Sequence, residues 1–339
     1  MRFLRRLSGT AFLIGLISGN VCAQDPSFGR PILGFTVDQT NSSISPILGV
    51  VGASVLDQHL DLGFETRNSV ISPEHNYALA ERSEDGKILV FKVLENAPTI
   101  IELPELQTGP SVIAISPRGT AAAFLNRASG FLQTFRGMPD APEKVYEFDA
   151  SVIPGEATAI AVNDDGSIAL INFADGDAGS NTAWVTSSNG SLWAVPSSHV
   201  SSMAFLPHRN DAVFSDAETQ EIFLVVELAG AGNRIPLISL DRPAGTPNSV
   251  AASQDGSRFF IVSAGFPEVT LVDAETHGAT VMDCSCSPTR LERLKANAIL
   301  LDGPPADLLH VLDLSESELR IVVIPANTKT TTPEGSEEP

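Results

Sequence analysis

The stretch Ala114-Ile115-Ser116-Pro117-Arg118-Gly119 decides the fold, because its pattern returns along the chain. Each copy is a short apolar strand that runs into a turn of Pro, Asn, Asp or Gly residues. The other copies are Val70-Ile71-Ser72-Pro73, Ala161-Val162-Asn163-Asp164-Asp165-Gly166, Ala204-Phe205-Leu206-Pro207 and Ala251-Ala252-Ser253-Gln254-Asp255-Gly256.

The spacing of these turns predicts a β-propeller. Corresponding turn positions stand at 73, 117, 164, 207 and 254, which gives intervals of 44, 47, 43 and 47 residues. A repeat of this length is typical of a four-stranded propeller blade. The segments between the turns hold further short strands with no helical period, so the fold class is all-β. The alanines before the turns fit innermost strands, where small side chains relieve crowding at the axis.

Division of the chain by this period predicts seven four-stranded blades. Residues 24–326 divided by a mean interval of about 45 residues give about 6.7 units. Five turns are clear, residues 288–298 supply a divergent inner strand and turn, and the N-terminal strands 32–37 and 44–48 belong to the seventh blade. Six blades with an N-terminal extension are the alternative.

One hairpin carries a resemblance to a known family. The segment from Val269 to Val281, Val-Thr-Leu-Val-Asp-Ala-Glu-Thr-His-Gly-Ala-Thr-Val, resembles the outer hairpin of bacterial YVTN-type repeats. The Ser-Pro-x-Gly and Asp-Gly turns are similar to those of YVTN, WD40-like and TolB-type propellers. These families include surface-layer proteins, periplasmic binding scaffolds and a lactonase branch, so the resemblance implies export and interaction rather than one chemistry.

The first 23 residues predict a cleavable secretory signal. Arg2, Arg5 and Arg6 precede a short apolar run, and Val21-Cys22-Ala23 ends in a small residue suited to cleavage. The run is too short for a membrane anchor. Lipidation of Cys22 is the minor alternative. We therefore expect a periplasmic or extracellular propeller domain at 24–326, followed by a disordered acidic tail at 327–339.

The charge of the chain limits its partners. The net charge is −20, and without the signal 18 basic residues face 41 acidic ones, or −23. Such a chain repels phosphate backbones and anionic lipid, which argues against nucleic-acid and membrane-surface binding. The charge favours a basic envelope protein as partner, although a solvated acidic surface without a partner is the commoner explanation. The mature chain is predicted to be a monomer with no membrane span.

Two cysteines, Cys284 and Cys286, remain after the signal. An even count in an exported protein favours a disulfide. Residues two apart in a regular strand lie near the upper limit for a bridge, so a bridge requires a local bend. Two free thiols, or a redox or metal pair, are the alternatives.

Catalytic motifs are scarce. The six histidines are scattered, and His75, His208 and His277 are predicted as exposed turn residues. Gly-x-Ser-x-Gly is absent, which excludes an attached serine-hydrolase domain of that type. Trp184 and Trp193 fall on neighbouring strands of one blade and are predicted to pack in the core.

One loop has oxygen-bearing residues at alternate positions, as calcium loops do. Residues 175–181, Asp-Gly-Asp-Ala-Gly-Ser-Asn, lack the later glycine and glutamate of such loops, so a plain polar loop is favoured. No catalytic, cofactor or metal residue is assigned.

The sequence thus favours an exported, non-catalytic propeller that acts as a protein-interaction or scaffold module of the cell envelope. The alternative is an enzyme of lactonase or related hydrolase type, in which an Arg, a His and acids from different blades meet at the mouth of the axial channel.

Overall fold

The computed structural model describes residues 31–92, 99–103, 105–110, 112–175, 180–240, 247–302, 308–315 and 319–326. Within these ranges the chain forms 27 strands and one short 3-10 helix at Ala150–Val152. No helix in these ranges has the length and apolarity to cross a membrane. The predicted signal, tail and most of the 175–181 loop lie outside the described residues.

Seven antiparallel sheets follow one another along the chain. Blade 1 has β1 (Ile32–Val37), β2 (Ile44–Val50) and β3 (Ala53–Leu56). Blade 2 has β4 (Thr66–Ile71), β5 (Tyr77–Arg82), β6 (Ile88–Lys92) and β7 (Thr99–Glu102). Blade 3 has β8 (Val112–Ile115), β9 (Ala121–Asn126), β10 (Phe131–Arg136) and β11 (Glu143–Asp149). Blade 4 has β12 (Glu156–Val162), β13 (Ile168–Asp175), β14 (Ser180–Ser187) and β15 (Leu192–Ala194).

The remaining three blades repeat the same order. Blade 5 has β16 (Val200–Phe205), β17 (Ala212–Asp216), β18 (Glu221–Val226) and β19 (Asn233–Ser239). Blade 6 has β20 (Pro247–Ala252), β21 (Arg258–Ser263), β22 (Glu268–Asp273) and β23 (Ala279–Asp283). Blade 7 has β24 (Glu292–Leu294), β25 (Ala298–Leu300), β26 (Leu308–Asp313) and β27 (Arg320–Pro325). The prediction of a seven-bladed all-β propeller is confirmed, and the six-bladed alternative is wrong.

The repeated turns of the sequence all lie on one side of the ring. Each joins the innermost strand of a blade to the second strand, and we call this side the turn face. Side chains and carbonyls link neighbouring turns there: Asp164 accepts hydrogen bonds from the backbone N–H groups of Arg118 and His208, at 2.8 Å each, and Tyr77 donates to the Gly119 carbonyl at 2.8 Å. The opposite side, where each blade connects to the next, is the connector face.

The apolar core is distributed between blades rather than gathered in one centre. Middle strands are buried on both sides by neighbouring blades, which explains their nearly continuous apolar sequences. Between blades 2 and 3, for example, Tyr77 packs with Phe124 and Phe135, and the two phenylalanine rings meet edge to face at 5.6 Å. Every interface between adjacent blades has such a cluster, so each blade is stabilised by the two beside it.

Blade 1 departs from the predicted four strands, because its sheet has three among the described residues. β1 packs against β5, the second strand of blade 2, and β2 packs against β6, the third. The three strands of blade 1 therefore occupy the second, third and outermost positions, and no strand of the described residues lies in the innermost position next to the axis. The ring closes where Leu56 of β3 bridges Ala326 in parallel and where both pack in one apolar cluster with blade 7.

Candidate functional site

The axial channel is the first candidate site. Its wall is formed by the inner strands of blades 2 to 7 and encloses about 300 Å³. Most of the wall is apolar, with Ala114, Ala161, Ala204 and Ala251 at one register position of four neighbouring strands. The charged residues of the wall are Glu292 and Arg293, both on β24. A wall of this kind is suited to an apolar ligand with one polar end.

Arg293 stands at the turn-face end of the channel. It pairs with Ile299 on β25, as Ile115 of blade 3 pairs with Ala122 on β9. Its Nη1 donates to the carbonyl of Pro117 at 3.0 Å, so the side chain reaches from blade 7 to blade 3. Its Nη2 lies 3.6 Å from Oε1 of Glu74 in blade 2. Burial lowers the pKa of Arg293, while Glu74 and Asp164 raise it.

The ring of His75, which lies in the turn of blade 2, links blade 1 to blade 7. The backbone N–H of Phe35 donates to Nδ1 at 3.0 Å, which fixes Nδ1 as the acceptor. Nε2 therefore carries the proton and donates to the carbonyl of Arg293 at 2.6 Å. Burial lowers the pKa of His75 to about 4, although the bond to the Arg293 carbonyl opposes this. The expectation of an exposed turn histidine is wrong here: His75 is 2% exposed because it fills space beside β1 that an inner strand would take.

Arg290 and Glu292 form a second polar group beside blade 1. Nη2 of Arg290 donates to Oγ1 of Thr36 at 2.7 Å, and Nη1 donates to the carbonyl of Val37 at 3.4 Å. The same Nη2 lies 3.3 Å from Oε2 of Glu292, but it is directed at Thr36, and Oε2 has no hydrogen-bond partner among the described residues. Burial raises the pKa of Glu292, and Arg290 partly offsets this.

Some buried polar atoms beside blade 1 lack a hydrogen-bond partner in the described part of the chain. They are Ser69 Oγ of blade 2 and Arg290 Nε and Glu292 Oε2 of blade 7, the two blades that flank blade 1. Four further atoms of this kind among the described residues lie in blades 3, 4 and 5. Unsatisfied buried atoms are costly, so the three beside blade 1 show that its inner side is incompletely satisfied.

Arg293 and Glu292 lie in the channel wall, and His75 contacts the backbone carbonyl of Arg293. Both ring nitrogens of His75 are occupied by backbone groups, which leaves neither available as a base in this arrangement. Glu292 is the group with a catalytic type of environment, since it is a carboxyl group of raised pKa on an apolar wall. Neither Arg293 nor Glu292 is predicted as a site residue from the sequence. The signal that could have found them is a pair of adjacent charged residues in a strand whose counterparts in blades 3 to 6 are apolar.

The other histidines do not approach one another. His199 pairs with Glu218 at 2.8 Å, and His310 pairs with Asp302 at 2.6 Å, both towards the connector face. His208 and His277 are exposed turn residues with positive φ, as predicted. Among the described residues, no three His, Cys, Asp or Glu side chains are placed to hold a metal ion.

The connector face is the second candidate site, because carboxylates collect at the strand ends there. The strands that begin or end on this face place the following acidic residues at those positions: Glu102, Asp149, Glu156, Asp175, Asp216, Glu221, Glu268, Asp283 and Glu292. Glu102, Asp149, Glu156 and Asp283 are exposed. Arg82 is the basic residue at a described strand end on this face, and it is bound to Asp85 at 2.5 Å.

Strand ends on the turn face have a different composition. Basic residues there are Lys92, Arg136, Arg258 and Arg320, against the acidic residues Glu143, Asp273 and Asp313. Acidic residues therefore outnumber basic ones at the strand ends of the connector face, but not at those of the turn face. The total charge can be counted from the sequence, whereas the side on which each residue lies depends on strand direction in the ring.

Cys284 and Cys286 follow β23 at the connector face, where the chain bends. Their sulfur atoms are joined across Cα atoms 5.0 Å apart, a separation within the usual range for a bridge. Both side chains are buried between blades 6 and 7. The disulfide itself stays a prediction that thiol titration checks.

Trp184 and Trp193 pack as predicted. They lie on β14 and β15 of blade 4 and contact the apolar clusters on its two sides. Most of the loop weighed for calcium, residues 176–179, lies outside the described residues.

Comparisons with known proteins identify the fold. No protein-family model matches the chain, and no curated protein matches it in sequence. A functionally unknown protein from Desulfotomaculum acetoxidans DSM 771 is similar in structure, with a TM-score of 0.56 and 14% identity over 88% of this chain and 100% of that one. Hydrazine synthase of Kuenenia stuttgartiensis gives a TM-score of 0.54 and 14% identity over 91% of this chain and 99% of that one. At this identity the similarity shows a seven-bladed β-propeller and no activity.

Proposed function

We propose that this protein is an exported, non-catalytic interaction module that binds a basic protein partner of the cell envelope through its connector face. The observation that carries the proposal is the set of exposed carboxylates at strand ends on that face, with Glu102, Asp149, Glu156 and Asp283 foremost. Strand ends are held by the blades, so these charges keep a fixed spacing.

The physical basis is electrostatic complementarity. A rigid face with an excess of one charge sign raises the encounter rate with an oppositely charged partner and disfavours partners of like charge. Glu102 and Glu156 lie in exposed ion pairs with Lys87 and Arg127. Asp149 and Asp283 therefore contribute most of the uncompensated charge among these four carboxylates. Exposed ion pairs contribute little affinity each, so a partner must contact several carboxylates at once. The association should weaken as salt rises, because ions screen exposed charges over about 8 to 10 Å at physiological salt.

Export and family membership are part of the same proposal. The signal pattern of residues 1–23 supports export. The resemblance to YVTN and TolB-type repeats is supported by the position of its hairpin, since β22 and β23 are the two outermost strands of blade 6.

The test compares two matched sets of neutralised carboxylates. The first removes charge from the connector face with Glu102→Gln, Asp149→Asn, Glu156→Gln and Asp283→Asn. The control does the same on the turn face with Asp140→Asn, Glu143→Gln, Glu227→Gln and Glu275→Gln, all exposed. Each protein is used to capture partners from the envelope fraction of its source and is titrated with a lysine-rich peptide at several salt concentrations.

The connector-face variant should lose the captured basic partner and bind the peptide at least tenfold more weakly, while the turn-face variant behaves as the wild type. An equal loss of binding in both variants would mean that the total charge of the protein, and not the connector face, determines the interaction. Retention of the partner by the connector-face variant would contradict the proposal.

The second candidate is a hydrolase of lactonase type, favoured by the presence of Arg293 and Glu292, adjacent residues of β24, in the channel wall. Here Glu292 would act as a general acid, since burial raises its pKa and so favours its protonated form. A panel of lactones and aryl esters tests this: turnover that Glu292→Gln abolishes in a folded protein would replace the interaction module with the enzyme.

A further inference from the structure

The axial channel combines an apolar wall with a guanidinium group whose hydrogen bonds are incomplete. Arg293 donates once, from Nη1 to the Pro117 carbonyl, and no other donor of its guanidinium has a hydrogen bond among the described residues. Its carboxylate neighbour, Glu74, lies 3.6 Å from Nη2, beyond hydrogen-bond distance, and is about half exposed. A partly buried cation with unused donors is stabilised by an anion that reaches it.

Glu292 does not supply that anion. It precedes Arg293 on β24, so its side chain points to the opposite face of the strand. There it lies 3.3 Å from Arg290, which is itself bound to Thr36 and Val37 of blade 1. Arg293 is therefore compensated in part, by Glu74 at 3.6 Å and by Asp164, while burial lowers its pKa.

The wall beneath Arg293 fits an unbranched apolar chain. It is formed by alanines and by larger residues such as Ile115, Ile160 and Met203, which leave about 300 Å³. Ligand sites in proteins begin at about this volume. A single medium-length alkyl chain fits within this volume and contacts apolar side chains of several inner strands.

We propose that the axial channel binds an amphipathic carboxylate, with its alkyl chain along the channel alanines and its carboxylate on Arg293. The guanidinium fork can donate two parallel hydrogen bonds to a carboxylate, which an alcohol or an amine cannot accept in the same way. This site is distinct from the acidic connector face and does not depend on the proposed partner.

The experiment is calorimetric titration of the mature wild-type protein with decanoate, decanol and decylamine, each below its aggregation concentration. The expected result is saturable binding of one decanoate per chain, at least tenfold tighter than either decanol or decylamine. This comparison needs no variant. Absence of saturable decanoate binding, or equal binding of the three compounds, would overturn the proposal.

Variants locate the site. Arg293→Gln should weaken decanoate binding at least tenfold and leave decanol unchanged, whereas the matched control Arg118→Gln, an exposed arginine of the same face, should bind as the wild type. Ala251→Met, which fills the channel, should weaken both ligands. Decanoate binding that survives Arg293→Gln and Ala251→Met in folded proteins would place the ligand elsewhere and refute the site.

Discussion

Blades 1 and 6 complete their inner sides in different ways. In blade 6, β20 lies against β21 with a ladder from Pro247 to Ala252, so backbone groups satisfy one another whatever the side chains are. In blade 1 the inner edge of β1 is satisfied by Lys295 N–H and by the side chains of His75 and Arg290. The stability of a regular blade such as blade 6 therefore depends on the size of its side chains. The stability of blade 1, which closes the ring and is called the closing blade below, depends on the chemical identity of a few side chains.

The largest expected effect tests the closing blade directly. Arg290→Met should destabilise the protein by about 4 kcal/mol, because it leaves Glu292 without its cation and removes donors from Thr36 and Val37. Denaturant unfolding measures this. Arg136→Met in blade 3 breaks an exposed pair with Glu143 and should cost less than about 1 kcal/mol.

A further variant separates charge from packing. Replacing both Arg290 and Glu292 by Met should recover much of the lost stability, because no unpaired buried charge remains. Equal stability of Arg290→Met and Arg136→Met would mean that the closing blade is held no differently from the others.

The next effect is a dependence on pH. The pKa of His75 is lowered from 6.5 to about 4 in the folded protein, so the unfolded state takes up the proton first as pH falls. The stability that neutral His75 provides is complete above pH 6.5, declines as pH falls through this interval, and is lost by about pH 4, a total of about 3 kcal/mol.

His75→Gln provides the control, since glutamine does not titrate. The stability difference between wild type and this variant should shrink steadily from pH 6.5 to pH 4. A pH-independent difference for His75→Gln would contradict the assigned neutral ring.

A smaller effect is expected in the regular blades. Ala114→Leu or Ala204→Leu should cost about 1 to 3 kcal/mol, because each alanine packs against an interblade cluster beside the axis. Ala279→Leu, on an exposed outer strand, should be neutral. Melting temperatures decide this, and unchanged values for the inner variants would show that the axis has more room than the strands indicate. Ala326 directly precedes the predicted tail but cannot serve as a neutral control, because it bridges Leu56 at the ring closure.

The smallest effect concerns Cys284 and Cys286. The loop that they close is so short that its contribution to stability should stay below about 2 kcal/mol. Labelling of the unfolded, unreduced mature chain should find no free thiol, and the protein should remain monomeric. Two labelled thiols per chain would disprove the bridge.

The regular part of the propeller was predictable because it repeats. The turn positions 73, 117, 164, 207 and 254 fixed the period, and the inner strand at 292–294 and the strands at 32–37 and 44–50 lie where the period requires. A repeat can be predicted reliably because each copy of the pattern supports the period inferred from the others.

The closing blade was not predictable in the same way. Nothing in the N-terminal sequence shows that β1 lies second from the axis, and His75 resembled the exposed His208 because both follow a proline in a turn. Burial of His75 comes from the space beside β1, which depends on the ring. The acidic connector face escaped prediction for a similar reason, since residues far apart in sequence share a face through strand direction alone.

The contacts along the inner edge of β1 also limit the order in which the blades can fold. β1 belongs to the first blade along the chain, yet its partner Arg290 lies 254 residues after Thr36. The hydrogen bond of the His75 ring to the Arg293 carbonyl likewise spans 218 residues. During synthesis from the N-terminus, blades 2 to 6 can pack while the inner edge of β1 is still open. An open strand edge is a template for pairing with another chain. Chains interrupted before Arg290 should therefore associate through their first strand, and blade 7 stabilises the first blade as much as its own strands.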